Sequence, residues 1–180
     1  MKTYYKKDFP VSEARRYLEP TPAVLLSSLH EGKQNIMTMG WYTIMEFTPS
    51  LIGCLMSSGN PSFEMIARSK ECVINIPTAD MIKKITGIGN CSGADTDKFE
   101  KFSLTAQAAS EVKAPLIKEC YANFECRLYD KTLRDKYDFF IFEIVKAHVA
   151  VSPKYPETVH YRGDSIFMVS GKNVKEYSAK

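Results

Sequence analysis

No apolar run in this 180-residue chain approaches the roughly 20 residues that a membrane-spanning helix needs. The first twenty residues, MKTYYKKDFPVSEARRYLEP, carry charge but no apolar core, so they do not read as a signal peptide. A cytoplasmic protein with no membrane partner is the expectation. The five cysteines are odd in number and none forms a CxxC pair. Reduced thiols follow, and Cys54, Cys72 and Cys126 read as small apolar core residues. The three histidines stand at no metal-ligand spacing, so no metal site is expected. A net charge of +3, with lysines and arginines interleaved with acids, lacks the basic face of a nucleic-acid binder. There is no GxSxG elbow and no Walker loop. Gly87-Ile-Gly89 has no third glycine at the dinucleotide spacing and follows a helical pattern rather than a strand. Asp95-Thr-Asp97 lacks the remaining ligands of a calcium loop. No nucleophile–base set stands out, so no catalytic side chain is assigned.

What is present is an ordinary globular composition, 44% hydrophobic and 25% charged, long enough for one domain with a sizeable core. Residues 1–20 are polar and lead, as an arm, into a domain over 21–180. Residues 22–29, PAVLLSSL, read as a buried strand behind a proline. Residues 35–47 and 51–56 read as two more strands. Asn60 then Pro61 reads as a helix start, with Glu64 in the first turn. Strand 72–76 follows, then a helix over 78–88 with Met81, Ile82, Ile85 and Ile88 on one face. A short helix is expected over 95–102. Residues 120–130 alternate, as a half-buried antiparallel strand does. Residues 138–151 form its partner, and 158–162 with 165–169 form a hairpin around Gly163-Asp164. Roughly seven hairpin-linked strands and two or three short helices predict a mainly β, β-rich α+β fold. The expected architecture is an antiparallel, Greek-key-like barrel with helices packed outside.

Two segments suit a flat, anionic ligand. Residues 57–62, SSGNPS, bring three hydroxyls and a glycine to a helix N-terminus, where unpaired N–H groups and the helix dipole favour a phosphate. The plainer reading is a helix cap. Residues 35–41, NIMTMGW, place Thr38 and Gly40 where a strand would carry Val or Ile. A planar ring can approach the backbone closely there, with Trp41 at its flank. By composition alone, a Met-rich core strand with Trp41 as a packing anchor is the simpler account.

The order of the segments reverses that preference. PTPAVLLSS, NIMTMGW, PSLIGC, SSGNPSFEMI, CVINIP, SGADTDKFEKFSLT and APLIKECYANFEC follow one another from about residue 18 to 170. This succession resembles the flavin reductase-like family, most closely its flavoredoxin-type members. The resemblance implies an FMN-binding split β-barrel and a homodimer with flavin at the interface. It implies FMN, or FAD as in some members, held without a covalent bond. NAD(P)H is the implied co-substrate, and free flavin, ferric iron or a redox partner protein the implied acceptor. A carrier with little NAD(P)H activity and a non-enzymatic split-barrel binding module are the alternatives. Carried across residue by residue, Met37, Thr38, Met39 and Trp41 line the flavin ring. Ser57, Ser58, Asn60 and Ser62 surround its phosphate, and Asn75 reaches a ring edge. Many relatives carry Arg or Lys in the phosphate loop, where this chain has Gly59-Asn60. The charge partner is therefore expected to be the helix N-terminus, Arg68 or, first, Lys98. His160 stands where the last hairpin would approach the flavin.

Overall fold

The structure is a computed structural model that describes residues 21–171 together with Lys6, Pro10 and Leu18. Apart from those three residues, the arm expected over 1–20 lies outside the described residues. Among the described residues, eleven strands follow in chain order: β1 (Val24–His30), β2 (Lys33–Met39), β3 (Tyr42–Phe47), β4 (Ser50–Leu55), β5 (Glu71–Ile76), β6 (Ala106–Gln107), β7 (Leu116–Ile117), β8 (Ala122–Asp130), β9 (Phe139–Val149), β10 (Val159–Tyr161) and β11 (Phe167–Val169). The helices are α1 (Pro61–Ser69), α2 (Ile82–Gly89), α3 (Lys98–Lys101) and α4 (Arg134–Tyr137). No helix among the described residues is long and apolar enough to cross a membrane.

Seven strands form one antiparallel sheet in the order β2-β1-β5-β8-β9-β4-β3. Its two edge strands, β2 and β3, are consecutive in the chain and joined only by Gly40 and Trp41. Two residues cannot span an open seven-stranded sheet. The sheet must therefore curl until its edges meet at that junction, while the rest of the seam stays unpaired. This is the mainly β, antiparallel split barrel expected above, with one difference. The single strand expected over 35–47 is two strands, because Gly40-Trp41 crosses the seam, and Leu55 N–H donates to the Trp41 carbonyl at 2.9 Å.

Alternation along the strands sorts two cores. Val24, Leu26, Met37, Met39, Cys54, Cys72 and Cys126 face the barrel interior, which Phe63 and Ile66 of α1 share. Leu25 and Ile36 face outward against Ile85 and Ile88 of α2 and Phe99 of α3. β1 is buried on both faces, which explains its unbroken VLL run. The interior cysteines are free thiols, and burial pushes the thiols of Cys54 and Cys72 well up, as expected of core residues.

Local chemistry sets the helix ends. Asn60 caps α1, its Oδ1 accepting from Ser62 N–H at 2.9 Å, with Pro61 in the first turn. Lys70, at φ 61°, ends it. A 3₁₀ turn over Ala79–Met81 leads into α2. Asp97 caps α3 through Phe99 and Glu100 N–H at 2.9 and 3.1 Å, shortening the helix expected over 95–102. The polar face of β8 differs from the half-exposed expectation. Asn123 and Glu125 are buried because the 105–117 segment crosses over them and its backbone groups need partners: Glu125 accepts from Val112 N–H, and Asn123 Nδ2 donates to the Ile117 carbonyl.

Candidate functional site

A cavity of about 350 Å³ opens on the outer face of the barrel where β2 passes into β3. Its floor is Thr38, Gly40 and Trp41. One wall is α2, through Ile85, Thr86, Gly89 and Asn90, and the opposite wall is the last hairpin, through Tyr161, Ser165 and Phe167. Thr21 and Ala23 close one end. Packing of α2 on β2 builds the first wall: Thr38 Oγ1 donates to the Ile85 carbonyl at 2.7 Å, and Gly89 leaves room beside Thr38. Bonds to residues 22 and 23 build the second. Ala23 N–H donates to the Val159 carbonyl at 2.7 Å, and Pro22 bridges to His160. Tyr161 and Phe167 meet across the hairpin with ring centroids 5.1 Å apart. Trp41 is half exposed, so an aromatic face is offered from the floor as well. His160 alternates to the other face of the hairpin and does not line the cavity.

The 57–62 loop stands on the other side of β2. Asn35 faces the barrel interior, and its Nδ2 donates to Ser62 Oγ at 3.0 Å. Thr38, three residues on and facing outward, is about 10 Å away along the strand. A ligand touching both ends would run along the edge of β2 that has no neighbouring strand. The loop itself differs from the expectation of free donors. Ser58 N–H is taken by Asp138 Oδ2 at 3.1 Å and Gly59 N–H by Ser57 Oγ at 3.4 Å. Asn60 N–H bonds the Ser57 carbonyl at 2.9 Å, and the Asn60 side chain takes Ser62 N–H. The cap that starts the helix uses the donors a phosphate would want. Ser57 and Ser58 are exposed and Ser62 is buried.

Other expected residues lie further in. Met37 and Met39 turn into the interior core, so only their backbone borders the seam. Asn75 is fully buried at the centre of a polar network. Its Nδ2 donates to the Leu25 carbonyl and Ser27 Oγ, both at 3.0 Å. Its Oδ1 accepts from Ile117 N–H at 3.0 Å and Asn123 Nδ2 at 2.7 Å. That network ties β1, β5, β7 and β8 together. Lys98 is buried too, and its Nζ donates to the Ile88 carbonyl at 3.0 Å, capping the C-terminal end of α2. Burial lowers its pKa, with nearby Cys91 opposing. Arg68 pairs with Glu64 at 3.7 Å on the exposed face of α1, in the helix's last turn. The sequence reading did not single out Asn35, Thr86, Tyr161 or Phe167. The alternation of HYR against FMV in the hairpin holds the signal for the last two, since it puts both rings on one face.

The domain described as flavin reductase like is matched over residues 15–166. The chain is a member of the flavin reductase-like family. An uncharacterized protein of Archaeoglobus fulgidus is 36% identical over 129 residues, covering 72% of each chain. Among solved structures, an FMN-binding domain of a flavin reductase-like enzyme from Shewanella baltica superposes with a TM-score of 0.79 at 23% identity, covering 94% of this chain and 96% of that one. Flavoredoxin of Desulfovibrio vulgaris (Miyazaki F) does so with a TM-score of 0.80 at 21% identity, covering 98% and 96%. For this flavin reductase-like chain, the cavity and seam suit the ring end of a flavin: uncharged lining, aromatic walls and open backbone. The phosphate end suits it less, because the loop donors are engaged and no lysine or arginine side chain among the described residues bonds to the loop.

Proposed function

We propose that this chain is an FMN-binding oxidoreductase that takes reducing equivalents, a hydride from NAD(P)H, and passes electrons to free flavin, ferric iron or a redox partner protein. The observation that carries this reading is the uncharged, aromatic-walled cavity at the closing point of a split barrel in a flavin reductase-like chain. A bound FMN supplies the two-electron redox chemistry, and the protein positions and encloses it. Thr38, Gly40 and Trp41 would hold the ring, and Ser57, Ser58, Asn60 and Ser62 would face the phosphate. The homodimer belongs to the same proposal. β3 is an edge strand with Ile44, Met45 and Phe47 exposed, the last at 85%, and such a face is normally covered. A second copy seated there would enclose a site that one subunit leaves open, and would supply what the phosphate loop lacks.

The test is an absorption spectrum of the purified protein before and after anaerobic NAD(P)H, with mass analysis of the released cofactor. The expected outcome is a yellow protein, or one turned yellow by FMN, that nicotinamide bleaches. A protein that takes up no flavin at micromolar concentration overturns the reading. A flavin that stays oxidised with both nicotinamides, yet is reduced by a low-potential iron–sulfur protein, moves the chain to the carrier alternative. Gel filtration should show a dimer whose dilution releases flavin.

A further inference from the structure

A phosphate at the start of a helix is held by free backbone N–H groups. Between residues 58 and 63 none is free. Pro61 has no N–H, and each of the others meets an acceptor of the protein. Ser58 donates to Asp138 Oδ2 at 3.1 Å, Gly59 to Ser57 Oγ at 3.4 Å and Asn60 to the Ser57 carbonyl at 2.9 Å. Ser62 donates to Asn60 Oδ1 and Phe63 to the Asn60 carbonyl, both at 2.9 Å.

The first of these acceptors is an anion, and the fold holds it in place. Asp138 sits in the left-handed region, at φ 54°, between α4 and β9. Its N–H donates to the Arg134 carbonyl at 2.8 Å, and its own carbonyl accepts from Met56 N–H at 3.0 Å. The cations nearest to it in the chain are turned elsewhere. Arg134 pairs with Asp135 at 2.6 Å, and Lys136 lies over the Tyr137 ring. A phosphate monoester, at roughly −1.5 to −2 near pH 7, would have to displace this carboxylate and then stand beside it. No lysine or arginine side chain among the described residues bonds to the loop to offset the repulsion. A sugar alcohol meets no such penalty. Its hydroxyls donate as well as accept, a carboxylate with one N–H bond keeps lone pairs to receive them, and Ser57 and Ser58 are exposed beside it.

We propose that Asp138 is a specificity-determining residue that turns the 57–62 loop against a phosphate, so that the free flavin this chain prefers is the phosphate-free one, riboflavin. FMN enters by the same ring and binds more weakly. The inference deepens the oxidoreductase reading and rests on it for the flavin ring.

The purified chain, dialysed free of flavin, is titrated with riboflavin and with FMN at pH 8, and binding is read by equilibrium dialysis. Riboflavin is expected to bind at least about threefold more tightly than FMN. Asp138→Asn keeps an acceptor for Ser58 and a residue type that tolerates the left-handed backbone, and removes only the charge. It should raise the affinity for FMN relative to riboflavin by about fivefold. Gly59→Lys poses the same question without touching Asp138. A Cβ at Gly59 meets only Ser57 Oγ, at 3.7 Å, so the side chain fits and brings a cation to the loop. It should raise FMN relative to riboflavin by about tenfold. Thermal melts establish that both variants fold. FMN bound as tightly as riboflavin, or more tightly, by the parent chain overturns the proposal. So does a folded Asp138→Asn with the parent's ratio of affinities. An unmoved ratio in folded Gly59→Lys overturns it too, since the phosphate would then lie away from this loop. Binding of neither flavin overturns the oxidoreductase reading along with the proposal, whereas tighter FMN overturns the proposal alone.

Discussion

Glu125→Ala should destabilise the fold by about 4 kcal/mol, read as a lower urea midpoint at pH 7. The Glu125 side chain is fully buried on β8 and accepts from four groups of the 110–112 segment. These are Ser110 N–H at 3.0 Å, Ser110 Oγ at 2.8 Å, Glu111 N–H and Val112 N–H at 3.0 Å. His148 Nε2 on β9 lies 2.7 Å from Oε1. Burial alone would push this carboxyl up. The bonds to His148, Ser110 and Glu111 outweigh it and hold the pKa down to about 2. Alanine removes the acceptor and leaves those donors facing apolar residues such as Val73 and Val112. The pH dependence follows from the sign of the shift. The folded pKa lies below the unfolded value of about 4.3, so the folded state favours the ionised form. That stabilisation is fully present above the unfolded pKa and is lost as pH falls towards the folded one. It amounts to about 3 kcal/mol between pH 5 and pH 2, at 1.36 kcal/mol per unit. Glu125→Gln cannot titrate there, so its stability should fall less steeply over that interval. Equal acid sensitivity in the parent and Glu125→Gln would sink this account.

Local rules carried much of the sequence reading to the right place. Asn60-Pro61 started α1 because capping chemistry is decided within three residues. The alternation of Ala122, Phe124 and Cys126 put one face of β8 inward because a strand's period is fixed. The harder cases all depend on what lies across the fold. Nothing within residues 35–47 reveals that β2 and β3 sit on opposite edges, and only the strand order turns Gly40-Trp41 from a strand interior into a seam. Asn75 and Asn123 look alike in sequence to surface asparagines, and what buries them is the distant 105–117 segment, whose Ile117 N–H donates to Asn75 and whose Ile117 carbonyl accepts from Asn123. Lys98 is, by sequence, the first choice for the phosphate's charge partner, but α3 folds beneath the end of α2, and its Nζ is taken there by the Ile88 carbonyl. The phosphate loop shows the same limit. Its residues are right for an anion, but the helix cap and Asp138, 80 positions later in the chain, have first use of the donors.

The steepest effect per atom added should come at Gly93. Its backbone needs no left-handed conformation, so the requirement is for space. A Cβ there would stand 2.0 Å from Asn35 Oδ1, 2.3 Å from its Cγ and 2.5 Å from its Nδ2. All three atoms belong to one planar amide, which is 1% exposed and has no solvent to swing into. Gly93→Ala must therefore displace the Asn35 side chain and break its 3.0 Å bond to Ser62 Oγ. Overpacking of this kind costs about 2 kcal/mol. The bond is also what ties the start of α1 to β2, so the phosphate end of the proposed flavin site should loosen with it. Asn35→Ala removes the obstacle as well as the bond. In the double variant Asn35→Ala/Gly93→Ala, the added methyl group meets vacated space. Its destabilisation should fall short of the sum of the single variants by at least about 1 kcal/mol. Flavin retention, measured by dialysis, should be no worse than in Asn35→Ala alone. Additive stabilities would mean that Gly93 is required for something other than the room it gives Asn35, and would overturn the coupling between this glycine and the helix start.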